Sequence, residues 1–327
     1  MEWAQVSGPA LIALDWGTSS LRGFLMSAEG EVLAQRQSSH GIQNLPGPGR
    51  EGFEAAFTDL CGEWLAAHPA LPLVAGGMVG SAQGWVEAPY VRCPADVTTL
   101  AAHAATVETP QGSVLHIAPG ILLDPEDAQP DVIRGEEIQI AGALAEHPEW
   151  AEAATVVLPG THSKWLDVKD GRVTTFFTYM TGEVFAVLAK HSILGRLMPE
   201  NGEANEEEAK AAFAKGLLAA RDSHPGDLTH QLFAVRTLGL TRRLNPVVLK
   251  DYLSGLLIGH ELTSAAGRTG AGGAGGEGTL LMIGDAALCR RYAEAFDVFG
   301  VRCAARLENT APAGLFRFAG AAGLLPA

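Results

Sequence analysis

Two short turns carry the residue types that bind phosphate. Asp15-Trp16-Gly17-Thr18-Ser19-Ser20 lies between the apolar runs Leu11–Leu14 and Leu21–Met26. Leu158-Pro159-Gly160-Thr161-His162-Ser163-Lys164 repeats that plan in the second half of the chain. A tight turn of Gly, Thr and Ser aims backbone N–H groups and hydroxyls at anionic oxygens. Gly17, Thr18 and Ser19 in the first turn, and Gly160, Thr161 and Ser163 in the second, are therefore the phosphate-contact candidates. Lys164 adds a point charge beside them, and Asp15, at a strand end, is placed to hold Mg²⁺ directly or through water. Either turn alone is equally an ordinary hairpin with a turn-forming residue. Two of them, facing each other, would grip the phosphate tail of a nucleotide from both sides.

Three further constellations supply the rest of a site. Arg134-Gly135-Glu136-Glu137 opens a helical stretch. A carboxylate there can take a proton from a substrate hydroxyl, and Arg134 can clasp a carboxylate or phosphate bidentately. The same acids would also complement a helix dipole, so Glu136 and Glu137 remain alternatives for the base. The glycine-rich loop Gly76–Gly84 lets a ligand approach the backbone, and Ser81, Gln83 and Trp85 offer polar and stacking groups to a substrate. Leu281-Met282-Ile283-Gly284-Asp285 reads as strand, turn and helix start, where Gly284 and Asp285 would let an adenine or ribose lie against the helix N-terminus. Gly270–Gly275 spells GxGxxG but follows a helix and lacks a Lys-Ser/Thr, which makes it a linker. His162, His191 and His260 belong to no metal-ligand pattern, and Glu206-Glu207-Glu208 is a solvated helix start.

The elements that must position these residues follow from periodicity. Strands are expected at 11–14, 21–26, 31–36, 73–75, 113–118, 155–158, 164–168, 173–179 and 279–283, where short apolar runs are bounded by turn residues. Helical spacing predicts helices at 53–67, 136–145, 183–196, 203–221, 247–266 and 286–296. Each half thus opens with a strand, a hydroxyl-bearing turn and two hairpin-linked strands, the mark of an internal duplication. A boundary is expected in 125–150, where proline and acidic residues cluster, dividing the chain into domains 1–135 and 136–327.

Composition removes several classes of function. The 327 residues carry 23 Lys and Arg against 37 Asp and Glu, a formal charge of −14 that repels nucleic acid and anionic membranes. No run approaches the roughly 20 apolar residues that span a bilayer, and Met1–Ala10 lacks a basic leader. Cys61, Cys93, Cys289 and Cys303 are widely spaced, as expected of reduced thiols. A cytoplasmic protein of small-molecule chemistry is the expectation.

The assembled motifs resemble those of the acetate and sugar kinase/Hsp70/actin superfamily: Asp15–Ser20 its first phosphate motif, Gly160–Ser163 its second, Ile283–Ala286 its adenosine motif. The resemblance implies an α/β, two-domain actin/hexokinase-like (ribonuclease H-like) fold, a duplicated mixed sheet flanked by helices around an interdomain cleft. A catalytic Asp often precedes the second phosphate motif in its carbohydrate kinases; Gly135-Glu136-Glu137 holds that place here. A closer similarity, to the 2-dehydro-3-deoxygalactonokinases, rests on LDWGTSSLR (14–22), GMVGSAQGWVEAPY (77–90), RGEE (134–137), LPGTHSKW (158–165), TGEVFAVLAKHSILG (181–195) and LSGLLIGHE (253–261). It implies ATP and Mg²⁺ as cofactors and phosphorylation of a sugar acid, 2-dehydro-3-deoxygalactonate, at its terminal hydroxyl. A homodimer is compatible with the sequence. Two rivals share the fold: a non-catalytic sugar-acid or nucleotide sensor, which would not need the carboxylates at Asp15 and Glu136/Glu137, and an ATPase or polyphosphate-cleaving enzyme.

Overall fold

The computed structural model describes residues 8–199, 202, 204–266 and 279–325; the glycine run 270–275 lies outside them. The chain opens as an antiparallel meander of β1 (Pro9–Trp16), β2 (Leu21–Ser27) and β3 (Val32–Ser38). Leu11, Ile12, Ala13 and Leu14 are all fully buried, as expected of a central strand covered on both faces. α1 (Gly49–Ala67) lays Phe53, Phe57, Leu60 and Trp64 onto that sheet. β4 (Leu73–Gly77) then joins β1 in parallel, setting Gly76 opposite Asp15.

The remainder of the first half is built from short pieces. β5 (Tyr90–Arg92) and α2 (Val97–Ala102) precede β6 (Ala105–Glu108) and β7 (Val114–Ile117); β8 (Gly120–Leu123), β9 (Asp131–Ile133) and α3 (Glu136–Glu146) follow. β6 and β7 complete a six-stranded sheet of order β3-β2-β1-β4-β7-β6, while β5, β8 and β9 form a small second sheet.

The second half restarts with β10 (Ala153–Leu158), β11 (Ser163–Lys169) and β12 (Arg172–Tyr179). α4 (Thr181–His191), α5 (Glu206–Arg221), α6 (Leu228–Leu240) and α7 (Leu249–Ala266) come next, then β13 (Thr279–Ile283), α8 (Ala286–Phe299), β14 (Ala305–Leu307) and α9 (Ala311–Ala321). Its sheet has the order β12-β11-β10-β13-β14, with β13 parallel to both neighbours. Both sheets therefore share one plan: three hairpin-linked strands, then parallel strands added beside the first of them. That repeat is the duplicated, ribonuclease H-like plan of the actin/hexokinase-like fold. Among the described residues no helix is long and apolar enough to cross a membrane, no cysteine is in a disulfide, and no cluster of His, Cys, Asp and Glu is arranged to hold a metal ion.

Two compact units result. The first runs through Glu152, adds the hairpin tip Val168–Thr175 and takes the chain again from Asn309. The second comprises Ala153–Asp167 and Phe176–Glu308. α3 belongs to the first unit because α9 packs on it: Gln139 Nε2 donates to Asn309 at 3.0 Å, and Thr310 Oγ1 donates to the Gln139 carbonyl at 2.6 Å. In the second unit α5 and α7 pack together under the sheet, with Phe213, Leu217, Ile258 and Leu262 in its core.

Candidate active site

The first hydroxyl-bearing turn is backed by a loop that takes up its carbonyls. Gly17 N–H closes the turn on Ser20 O at 2.9 Å. Ile42 N–H donates to Gly17 O and Gln43 N–H to Thr18 O, each at 3.1 Å, and Asn44 Nδ2 reaches Ser19 O at 3.5 Å. Gly41 makes this backing possible, since a Cβ there would lie 2.4 Å from Ser19 N. With the carbonyls engaged behind, the amides of Thr18 and Ser19 donate no hydrogen bond among the described residues, and both residues are exposed. The turn presents donors outward, which is what an anion requires.

Asp15 stands at the root of the turn. Its side chain is 20% exposed and lies 3.3 Å from the Arg22 guanidinium. Burial pushes its carboxyl up from the ordinary value, and Arg22 pulls it back down. Its neighbour on the other side, Gly76, has no side chain to cover it.

Arg134, Glu136 and Glu137 sit at the start of α3, whose N-cap Gly135 has a φ of 109°. The two glutamates differ sharply. Glu137 is 2% exposed, and its carboxyl oxygens accept from Gly135 N–H at 2.8 and 2.7 Å. Burial, reinforced by the Glu136 charge, pushes its carboxyl up to about 8. Glu136 is half-buried and accepts from Arg134 N–H at 2.9 Å. Arg134 itself reaches across to the loop, donating from Nη2 to Ala88 O at 2.9 Å and stacking 4.3 Å above the Tyr90 ring. Arg134 Nη1 and Trp85 Nε1 are buried without a hydrogen-bond partner among the described residues.

The glycine-rich loop folds back on itself, with Trp85 N–H donating to Val79 O and Ala88 N–H to Gly80 O, each at 2.9 Å. Ser81 Oγ accepts from Gln83 N–H at 3.3 Å, and Gln83 is exposed. The Trp85 ring is 9% exposed and packs among Trp16, Phe53 and Phe57. It is core of the first unit, with only its indole N–H unspent.

In the second unit the Gly160–Thr161 turn is backed by the start of α4. Glu183 N–H donates to Thr161 O at 3.0 Å, and a Cβ on Gly182 would stand 2.5 Å from Gly160 O. The amides of Gly160 and Thr161 donate no hydrogen bond among the described residues, so this turn repeats the logic of the first. His162 Nε2 is tied to the Glu183 carboxylate. Ser163 and Lys164 point inward: Ser163 Oγ lies 2.7 Å from the Tyr292 hydroxyl, and Lys164 Nζ donates to Thr178 Oγ1 at 2.9 Å. Tyr292 donates in turn to Glu261 at 2.7 Å, as does Trp165 Nε1 at 2.8 Å, and the Thr181 hydroxyl closes on the same carboxylate. Glu261 is 3% exposed, and desolvation pushes its carboxyl up.

A cavity of about 560 Å³ opens beside this turn, lined among others by Gly160, Thr161, Gly182, Lys250, Asp285 and Arg291. Asp285 caps α8, accepting from Ala287 and Leu288 N–H at 2.9 and 3.0 Å. Gly284 N–H donates to Leu307 O at 3.0 Å, and Arg291 pairs with Asp251 at 2.6 Å. Outward amides, hydroxyls and an exposed lysine around a roomy cavity fit a nucleotide. A single half-screened carboxylate, Asp15, fits Mg²⁺, which keeps most of its waters and is carried largely by phosphates.

Within the first unit the end of β4 links the Asp15 turn to the head of α3, Gly76 lying opposite Asp15 and Gly77 Cα 3.4 Å from where a Cβ on Gly135 would stand; within the second, Gly160, Thr161 and Asp285 share one cavity wall, with Gly284 beside it. Motif reasoning passed over Thr181, Gly182, Glu183, Lys250, Glu261 and Tyr292. The available signal was a carboxylate, Glu261, embedded in the apolar run LSGLLIGHE, because a buried acid is retained only where partners satisfy it.

Known proteins match over the same span. A family model described as 2-keto-3-deoxy-galactonokinase matches residues 15–318. The 2-dehydro-3-deoxygalactonokinase of Escherichia coli (strain K12) is 32% identical over 300 residues, 92% of this chain and 94% of its own length. The provisionally assigned 2-dehydro-3-deoxygalactonokinase DgoK1 of Rhizobium meliloti (strain 1021) is 38% identical over 275 residues, covering 82% and 86%. A crystal structure from Sinorhizobium meliloti, provisionally assigned to the same activity, superposes with a TM-score of 0.79 at 33% identity, covering 95% of this chain and 98% of that one. By sequence and by fold, the chain belongs to the 2-keto-3-deoxy-galactonokinase family.

Proposed function

We propose that this sugar-acid kinase transfers the γ-phosphoryl group of ATP to the terminal 6-hydroxyl of 2-dehydro-3-deoxygalactonate, giving 2-dehydro-3-deoxy-6-phosphogalactonate in galactonate catabolism in the cytoplasm. The observation that carries the chemistry is the pair of donor turns, one per unit, whose carbonyls are tied off behind and whose amides face outward. Family membership carries the substrate.

Phosphoryl transfer asks a protein mainly for positioning and charge neutralisation. Thr18 and Ser19 in one turn, and Gly160 and Thr161 in the other, hold phosphate oxygens by amides and hydroxyls. Asp15 would hold Mg²⁺, which would supply charge neutralisation to the phosphate tail. Gly284 and Asp285 border the adenosine. Ser163 and Lys164 act from within, fixing the second turn through Tyr292 and Thr178. Glu136 accepts the proton of the attacking hydroxyl as the new O–P bond forms and the bond to ADP breaks. Glu137, buried on Gly135 N–H, holds that peptide in place. Arg134 braces the loop bearing Ser81 and Gln83 by its bond to Ala88 and its stacking on Tyr90.

The test is coupled ADP release with Mg-ATP against 2-dehydro-3-deoxygalactonate, its gluconate epimer, the parent aldonates and neutral hexoses. Selective stimulation by the galactonate compound, with phosphate on its terminal oxygen, is expected. Equal ADP release without any acid would make the protein an ATPase, and none with any acid would remove the kinase assignment.

A further inference from the structure

The outer face of α6 carries no Asp, Glu, Lys or Arg. Thr229, His230, Phe233, Thr237 and Leu240 recur at i, i+1, i+4, i+8 and i+11, one stripe of the helix. The opposite stripe holds α6 to its own unit. Val235 is fully buried there, and Gln231 Nε2 donates to Ala219 O of α5 at 2.9 Å while its Oε1 lies 2.7 Å from His260 Nε2 of α7. Phe233 and Leu240 therefore point away from the core, 56% and 57% exposed.

A surface helix normally turns its charges to water. α5 of the same unit does so, with Glu206, Glu207, Glu208, Lys210 and Lys215 exposed. Between Asp227 and Asp251, by contrast, the sequence has no acid at all, although Asp and Glu number 37 of its 327 residues. Arg236, on the border of the stripe, is drawn aside: its Nη1 donates to the Ile193 carbonyl at 3.1 Å, which sets the exposed Ile193 beside α6. Single exposed apolar residues are ordinary. A whole helix face without an ionised side chain, with a phenylalanine near its centre, is a surface that loses little when water leaves it.

The segment also complements itself when reversed. Phe233 stands next to the midpoint of the 13-residue helix. Asp222 and Asp227 precede its N-terminus, and Arg242 and Arg243 follow its C-terminus. Two copies laid antiparallel about a two-fold axis through Phe233 bring Phe233 onto Phe233, Thr229 onto Thr237, and Leu240 of each onto Gly226 of the other. Gly226 has a φ of 94°, and a Cβ there would meet nothing within 4 Å, so a leucine has room. The acids before one helix then face the arginines after the other, and the two helix dipoles run opposed. The bond of Asp222 to Arg221 is an exposed pair that costs little to share. Contact of i with j and of j with i is what a two-fold interface requires.

We propose that α6 is the surface by which the protein pairs with a second copy of itself, antiparallel about Phe233. One face of a helix about 20 Å long is smaller than the roughly 800 Å² per partner of a standard interface. A dimer that assembles at micromolar concentration is therefore expected.

Sedimentation velocity of the full chain across the micromolar range decides, with wild type, Phe233→Ala and Phe233→Asp. Phe233 is exposed, so the variants keep their fold, which thermal melts check. The wild type should pass from monomer to dimer as concentration rises. Phe233→Ala should weaken the dimer about tenfold, and Phe233→Asp, which sets two carboxylates on the axis, about a hundredfold. Cross-linking reads the register. Under mild oxidation Phe233→Cys should give a disulfide-linked dimer that the wild type does not. Leu240→Cys should give none, because its two copies would stand about 20 Å apart. A wild type that stays monomeric, a dimer as tight in Phe233→Asp as in the wild type, or a cross-link at 240 in place of 233 would each overturn the assignment.

Discussion

Glu136 and Glu137 are adjacent in sequence yet have been given different work by their surroundings. Both oxygens of Glu137 face the Gly135 amide in a buried site, and Glu136 stays half-buried, accepting from Arg134 N–H. Glu136→Gln should therefore lower kcat by about 10²–10⁴, the usual weight of a positioned base, with Mg-ATP affinity unchanged; steady-state kinetics and ATP titration together decide. Glu137 has a separate signature in stability. Its folded-state carboxyl titrates near 8, above the ordinary value of 4.5. The folded state thus keeps its proton where the unfolded state has lost it. Below about pH 4.5 the two states are alike; as pH rises toward 8 this site costs stability, by up to about 1.4 kcal/mol per pH unit, and above 8 the cost levels off. Urea unfolding of Glu137→Gln against wild type should show the variant gaining relative stability between pH 5 and 8. Parallel curves for the two proteins across that range would mean that Glu137 is ionised in the fold.

At the scale of elements, the second donor turn leans on a buried carboxylate carried by a distant helix. Glu261 on α7 gathers Thr181 from α4, Trp165 from β11 and Tyr292 from α8, and Tyr292 reaches Ser163 at the end of the turn. Removing the Tyr292 hydroxyl takes one donor from Glu261, which keeps Trp165 and Thr181, and takes from Ser163 Oγ its partner at 2.7 Å. Tyr292→Phe should cost about 1–3 kcal/mol in urea unfolding, the penalty for an unmet buried polar group. It should also raise KM for ATP more than it lowers kcat, because the turn loosens while the base stays in place. A fall in kcat at constant KM would place the network in the chemical step instead. Elements of this kind were legible where periodicity was strong. β1, β2, β3, β10, β11, β12 and the long helices α1, α5 and α7 follow from apolar runs and turn residues, and the repeated strand-turn-strand opening announced the duplication. The three-residue strands β5, β9 and β14 carry too few residues for alternation to register. The expected helix 183–196 ends at His191, with Arg196 in its own short turn, because Ser192 Oγ takes the Leu188 carbonyl at 2.6 Å and Ser192 turns extended. Of the candidate site, types and turns were legible, but direction was not: Thr161 faces out while Ser163, two residues on, faces the core. That difference is set by tertiary partners on α7 and α8, far away in sequence.

For the molecule as a whole, the first unit is not finished until the chain ends. Its sheet and α3 wait for α9, which arrives after the entire second unit and packs against α2, α3, β1 and β4. Leu315 and Phe318 of α9 are fully buried there, and Thr310 donates its hydroxyl to Gln139 O just before the helix begins. Asp15 lies on β1 and Glu136 at the head of α3, so the helix that completes the core also supports the proposed base and the proposed metal ligand. Leu315→Ala removes a buried side chain and should cost about 2–5 kcal/mol. Hydrogen exchange offers the sharper measurement, because stability is lost by region. Protection should fall in β1, β4 and α3, while β10, β13 and α7 of the second unit keep theirs. Mg-ATP should still protect the amides around Gly160 and Thr161 in the variant, since that cavity is lined entirely by second-unit residues. Uniform loss of protection across both units would instead mean that they unfold as one, and α9 would then be a clamp on the whole chain.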